Sequence, residues 1–222
     1  THEWVRMRGG SKACEAAAAR LLAGGKLDSM VVWRKARNLA EAGQDTSLSN
    51  TLALLAGNTA GNTAAELSLQ SIVRTAAKNP DAAASQLQNA AHLNEEQRNW
   101  GWGVVGKQAA MNLSNLAPHY YAQATRMQDW TEDMLAWRVR ADLRAGIASK
   151  RADILQTVAA MPSKMQQDPS WQYWKARALA ASGTKAEAEQ AQKIYQAIAS
   201  SHGFYEMLAQ EELGKSITLP PQ

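Results

Sequence analysis

The chain has 222 residues, 45% of them hydrophobic, with 24 lysines and arginines against 20 aspartates and glutamates, a formal charge of +4. That apolar content supports a packed core, so the protein is globular, and no apolar run is long enough to cross a bilayer. Abundant alanine, six prolines and the near absence of β-branched or aromatic runs exclude a strand-rich fold.

The first residues, THEWVRMRGG, show neither an initiator methionine nor the basic, apolar and small-residue order of a signal peptide, and read as a processed or excised start. The single Cys14 rules out an intramolecular disulfide, which suits the cytoplasm without excluding the periplasm. Arg6, Arg8, Lys12, Arg20, Lys26, Arg34, Lys35 and Arg37 face only Glu3, Glu15 and Asp28 before residue 40. No groove-reading motif or base-stacking aromatic set accompanies this charge, so it reads as a solvated helical face and no nucleic-acid partner is expected.

Stop and start signals then divide the chain. Gly24, Gly43, Gly57, Gly146, Gly183 and Gly214 follow helical patterns, where a glycine in the left-handed conformation closes the last turn. Thr184 with Glu187 and Asn94 with Gln97 form capping boxes, and Asn79-Pro80 and Asp168-Pro169 set a cap before a first-turn proline. In GNTAGNTAAE (57–66) the lysine of a phosphate loop is missing, so the segment reads as a turn with a cap at Thr63 and Glu66. These signals predict helices near 12–23, 29–42, 47–56, 63–77, 80–90, 95–113, 118–128, 132–145, 150–160, 169–182, 185–200 and 203–213. Their short connections make neighbours antiparallel.

A repeat runs through this map. KARNLAEAG at 35–43 returns as KARALAASG at 175–183, and Trp137, Arg140, Ala141 and Gly146 align with Trp174, Arg177, Ala178 and Gly183. With Trp102 one step earlier, the tryptophans mark a unit of about 35 residues, two helices and two turns, the period of an α-solenoid. Trp171, Trp174, Ala178 and Ser182 fall on one helical face, and Ala188, Ala191, Ile194, Tyr195 and Ile198 supply the matching stripe on the next helix. The fold class expected is all-α: an α-superhelix (solenoid) of antiparallel helix hairpins, like a tetratricopeptide array, forming one domain over residues 1–222. The aromatic stripes read as core, with a sugar-stacking surface as the alternative.

Chemistry is sparse. His2, His92, His119 and His202 are single and scattered, so no metal site is assigned. Cys14 lies in an alanine-rich helix and reads as an inert thiol. Glu95-Glu96 and Glu132-Asp133 sit in first turns, where the helix dipole favours them, and Glu211-Glu212 read as solvent-exposed. No catalytic residue and no cofactor is assigned, and the substrate-binding residues are not identified.

The segment from Trp171, WQYWKARALAASGTKAEAEQAQKIYQAIASSHGFYEMLAQEELG, resembles the end of the superhelical region of the soluble lytic transglycosylase family. LNEEQ at 93–97 and WRVRADLRAG at 137–146 are similar to preceding parts of that region, and weaker similarity runs back to Cys14. The resemblance implies a periplasmic bacterial enzyme in which a helical ring precedes a lysozyme-like catalytic domain. That family is a lyase of cell wall turnover: it cleaves the β-1,4 bond between N-acetylmuramic acid and N-acetylglucosamine of peptidoglycan (murein), leaving a 1,6-anhydro product, with one glutamate acting as acid and then base. The glutamate opens an E-S motif, and none of the glutamates here is followed by serine. The reading is therefore a fragment, monomeric and non-catalytic by itself, with the catalytic domain expected after residue 222. It serves as a scaffold for glycan strands or stem peptides, and cell-wall proteins are further candidate partners. The competing reading is a tetratricopeptide-like protein interaction module unrelated to cell wall; the fold alone does not separate the two.

Overall fold

A computed structural model describes residues 4–5, 7, 9–55 and 63–216, and among them there is no strand. The helices are α1 (Lys12–Ala23), α2 (Ser29–Glu41), α3 (Asp45–Ala53), α4 (Thr63–Ala76), α5 (Pro80–Asn89), α6 (Glu95–Met111), α7 (Ala117–Tyr121), α8 (Glu132–Gly146), α9 (Arg151–Ala160), α10 (Ser163–Gln166), α11 (Pro169–Ala180), α12 (Lys185–Ile198) and α13 (Phe204–Glu212). The all-α expectation is borne out, and the boundaries agree to within a turn with one exception. The helix expected over 118–128 ends at Tyr121. Trp130 folds back onto Tyr121 with ring centroids 5.3 Å apart, and a helix continued to 128 would carry the two away from each other. The short α10 was not expected at all.

The end signals work as local chemistry predicts. Asn94 and Gln97 exchange two 2.9 Å bonds between side-chain oxygen and backbone N–H, a reciprocal capping box at the start of α6. Asp168 accepts from the N–H of Ser170 at 2.9 Å, and Asn79 from that of Ala82 at 3.0 Å. Replacing Asn79 by alanine is expected to cost about 1 kcal/mol, measured by urea unfolding, because an N-terminal donor of α5 loses its partner. At the end of α1 the left-handed residue is Gly25 (φ 63°), not Gly24 as expected. The N–H groups of Lys26 and Gly25 reach back to the carbonyls of Leu21 and Leu22, a pair of bonds that needs the sign change one residue later. Gly57 and most of the turn over 57–66 lie outside the described residues.

The chain divides into two compact units, Thr1–Gln108 and Ala109–Gln222. In the first, α2 packs on α3 and α4, and α4 on α5. Val32, Trp33, Ala36 and Leu39 of α2, Leu69, Ile72 and Val73 of α4, and Ala83 and Leu87 of α5 are buried. The helix α6 buries residues on nearly every side, including Trp100, Trp102, Val104 and Val105. It approaches closely because residue 101 is glycine: a Cβ there would meet Leu87 at 3.1 Å and Leu69 at 3.2 Å.

Two basic residues read as part of a solvated face are instead fully buried. Lys35 donates its ammonium protons to the carbonyls of Met7 and of Gly9, which pins the chain before α1 onto α2. Burial pushes its pKa below the usual lysine range. Asn38 adds a bond to the carbonyl of Val5 at 3.0 Å. Arg37 is the second, and its partners belong to the site below.

In the second unit α7 packs on α8, α8 on α9, α9 on α11, and α11 on both α12 and α13, which also meet each other. The hairpins α8–α9 and α11–α12 begin at 132 and 169, 37 positions apart, the offset that separates Trp137 from Trp174. Trp33, Trp102 and Trp171 are buried, but Trp137 and Trp174 are only partly so. Of the stripe expected on α11, Trp171 and Ala178 are buried and Trp174 packs partly buried against the core. Tyr173, Ala176 and Leu179, which the stripe left out, form the core there with Ala191 and Tyr195 from α12 and Ala209 from α13, while Ala188 is exposed. Tyr173 lies under two helices, α12 and α13, whereas Trp174 lies at the edge against Tyr205.

Candidate functional site

Among the described residues no group of three or more histidines, cysteines and carboxylates is placed to hold a metal ion. His92 lies in a groove of about 480 Å³ beside α4 and α5, lined by Ser68, Ser71, Ser85, Gln86 and Asn89 over Ile72 and Ala90. Its Nε2 stands 2.9 Å from the hydroxyl oxygen of Ser68. A serine and a histidine at this spacing are two parts of a nucleophilic triad, yet among the described residues no carboxylate orients the second ring nitrogen, and the pair is exposed. The groove offers hydroxyls and amides for hydrogen bonding and no reactive group.

The carboxylates read as first-turn charges do more than that. Arg37, on α2, forms a two-pronged contact with Glu66 of α4, its Nε donating at 2.9 Å, and both side chains are fully buried. Its other N–H groups donate to Glu96 of α6 at 3.0 and 2.9 Å, and Trp100 lies across the guanidinium at 5.7 Å. Gln97 donates to Glu66 at 2.7 Å, and Arg34 reaches Glu96 at 3.3 Å from the solvent side. Glu66, expected from sequence to take part in a helix cap with Thr63, is instead the inner half of a buried ion pair. The guanidiniums of Arg37 and Arg34 hold Glu96 below the usual carboxylate range in spite of its burial. Fully paired, with Arg37 and Glu66 closed to solvent, this cluster ties three helices together and serves structure.

Glu211 and Glu212 are exposed, as read from sequence, but Glu212 also holds partners. It accepts from Arg177 at 2.6 Å and from the hydroxyl of Tyr173 at 3.2 Å, closing α13 onto α11. Asp142, which sequence did not single out, is buried beside Arg138, whose Nε lies 3.6 Å from it. Burial raises its pKa to about 6, helped by the nearby charge of Asp153 and opposed by Arg138 and Lys150. Its only sequence signal is the four-residue spacing from Arg138, which is common on solvated helices.

One surface combines charge with aromatic walls. Arg140 of α8 is exposed, and its guanidinium carbon lies 5.0 Å from the ring of Trp137 and 5.3 Å from that of Trp171 on α11. Trp137 belongs to the repeat motif and Trp171 to the helical stripe read beside it. The sequence reading placed them in the core and missed that the indole of Trp137 serves the surface as well.

These observations define an all-α protein of consecutive helix hairpins, without a resident metal cluster among the described residues. No protein-family profile matches the chain. It is 29% identical to the soluble lytic murein transglycosylase of Salmonella typhimurium strain LT2 over 155 residues, which make up 70% of this chain and 23% of that one. The chain thus spans about a quarter of the length of the curated relative it matches. Among solved structures it resembles an inactive mutant of the lytic transglycosylase Slt from Pseudomonas aeruginosa, at 19% identity and a TM-score of 0.57, covering 96% of this chain and 38% of that one. It also resembles the 70-kDa soluble lytic transglycosylase in complex with bulgecin A, at 21% identity and a TM-score of 0.51, covering 97% and 38%. The chain is homologous to soluble lytic murein transglycosylase, as the Trp171 segment implied.

Proposed function

We propose that this chain is a periplasmic, non-catalytic α-superhelical region of a lytic transglycosylase, which holds peptidoglycan strands or their stem peptides while a catalytic domain elsewhere cleaves them. The observation that carries the reading is the homology to soluble lytic murein transglycosylase over most of the chain. The surface is in keeping with it: an open groove of hydroxyls and amides suits neutral sugar or peptide groups, and a formal charge of +4 suits a polymer that carries carboxylates. No described helix is long and apolar enough to cross a membrane.

The test is sedimentation with purified insoluble sacculi over a salt series. Retention that weakens as salt rises, with no anhydro-sugar released, is the expected result. Release of anhydro products would place chemistry within these 222 residues, and absence of retention at every salt concentration would remove the cell wall as ligand.

A further inference from the structure

We propose that Trp137, Arg140 and Trp171 form a carboxylate-binding subsite that takes the free C-terminal carboxylate of a peptide. The second unit contains six arginines, Arg126, Arg138, Arg140, Arg144, Arg151 and Arg177. Five of them are engaged: Arg126 with Asp129, Arg138 with Asp142 and Asp153, Arg144 with the carbonyl of Ser114, Arg151 with Glu187, and Arg177 with Glu212. Arg140 makes no hydrogen bond or ion pair among the described residues.

A guanidinium at an exposed helix position ordinarily samples many rotamers, and that freedom weakens any contact it makes. Here two indoles from different helices restrict it, at 5.0 and 5.3 Å from their centroids. Stacking on ring faces uses the π surface of the guanidinium and leaves its in-plane N–H donors for a planar acceptor. Its own helix supplies no acceptor: the positions three and four residues away are Ala136, Trp137, Leu143 and Arg144. Asp168, one turn before Trp171, is committed to capping α11.

The chemistry selects among anions. One restricted guanidinium matches a single negative charge in a fork of two oxygens, which is a carboxylate, whereas phosphate carries more charge than this residue balances. The partly exposed ring of Trp137 suits the aliphatic groups that precede a peptide carboxylate. That the peptide is a stem peptide of the cell wall rests on the function proposed above; the preference for a carboxylate does not.

The experiment uses the whole chain and follows the Nε–H resonance of Arg140, identified by its loss in Arg140→Lys. The probe is N-acetyl-Lys-D-Ala-D-Ala, compared with the same peptide amidated at its C-terminus. The acid is expected to shift the resonance saturably, and the amide to bind about tenfold more weakly or not at all. Arg140→Gln, checked for an unchanged Tm, is expected to lose the same factor. Equal binding of acid and amide, no shift with either, or displacement of the peptide by equimolar inorganic phosphate would overturn the assignment. Binding of the acid by a chain that fails to sediment with sacculi would leave the subsite standing and remove the cell-wall function.

Discussion

Replacing Arg37 by alanine is expected to destabilise the first unit by about 3–5 kcal/mol, because it strands Glu66 as an uncompensated charge with no access to water. The effect should appear in urea unfolding followed by tryptophan emission, as Trp100 lies against the same guanidinium. Its pH dependence distinguishes lost charge pairing from lost packing. In the unaltered protein Glu96 is held below the usual carboxylate range, so its contribution is present at neutral pH and fades as pH falls through that lowered value. A loss under about 1 kcal/mol at pH 7 would remove the pair from its structural role.

Asp142 should behave in the opposite way to Glu96. Its folded-state pKa of about 6 lies above the ordinary 3.8, so folding favours the neutral acid. The contribution is complete below pH 4 and is lost as pH rises through 6, about 3 kcal/mol in all. Asparagine at this position imitates the protonated form. The variant Asp142→Asn is expected to be more stable than the parent at pH 7 by about 2–3 kcal/mol, and flat between pH 4 and 7 where the parent declines. The groups around Asp142 are Arg138, Asp153 and Lys150, with Trp130 across the Arg138 guanidinium at 5.5 Å. Hydrogen exchange of the α8 and α9 amides, read at both ends of this pH window, localises the change. Identical pH profiles for the two proteins would mean that the carboxyl is already ionised in the fold at low pH.

The helical plan was legible because its signals are local. Asn94 needs only Gln97 three residues on to begin a helix, and Gly43 needs only its own freedom at φ 67° to end one. The hairpin period survives for the same reason, since each pair of helices must present a flank to the next. What sequence did not carry is any contact whose partners lie far apart along the chain. Glu66 fits a capping box as well as it fits an ion pair, and only the approach of α2 brings Arg37, 29 residues earlier, against it. The end of α7 was misplaced because nothing in YYAQATRMQDW forbids a helix; packing of Trp130 on Tyr121 decides it. Likewise the three-and-four spacing fits Trp174 and Tyr173 equally, and the choice falls to the ring that meets α12 as well as α13. The surface role of Arg140 was hidden behind the repeat itself, where an arginine three residues after tryptophan looks like punctuation.

Tyr173 touches Trp174, Tyr195 and Tyr205 with ring centroids 5.2, 5.9 and 5.6 Å apart, and Trp174 stands 6.2 Å from Tyr205. At such separations light absorbed by a phenol passes to an indole faster than the phenol can emit. Tyr173 stays beside Trp174 on its own helix, but Tyr205 of α13 is dark in tyrosine fluorescence only for as long as α13 stays docked. Its brightening gives an optical gauge of that one helix lifting away, with no label attached.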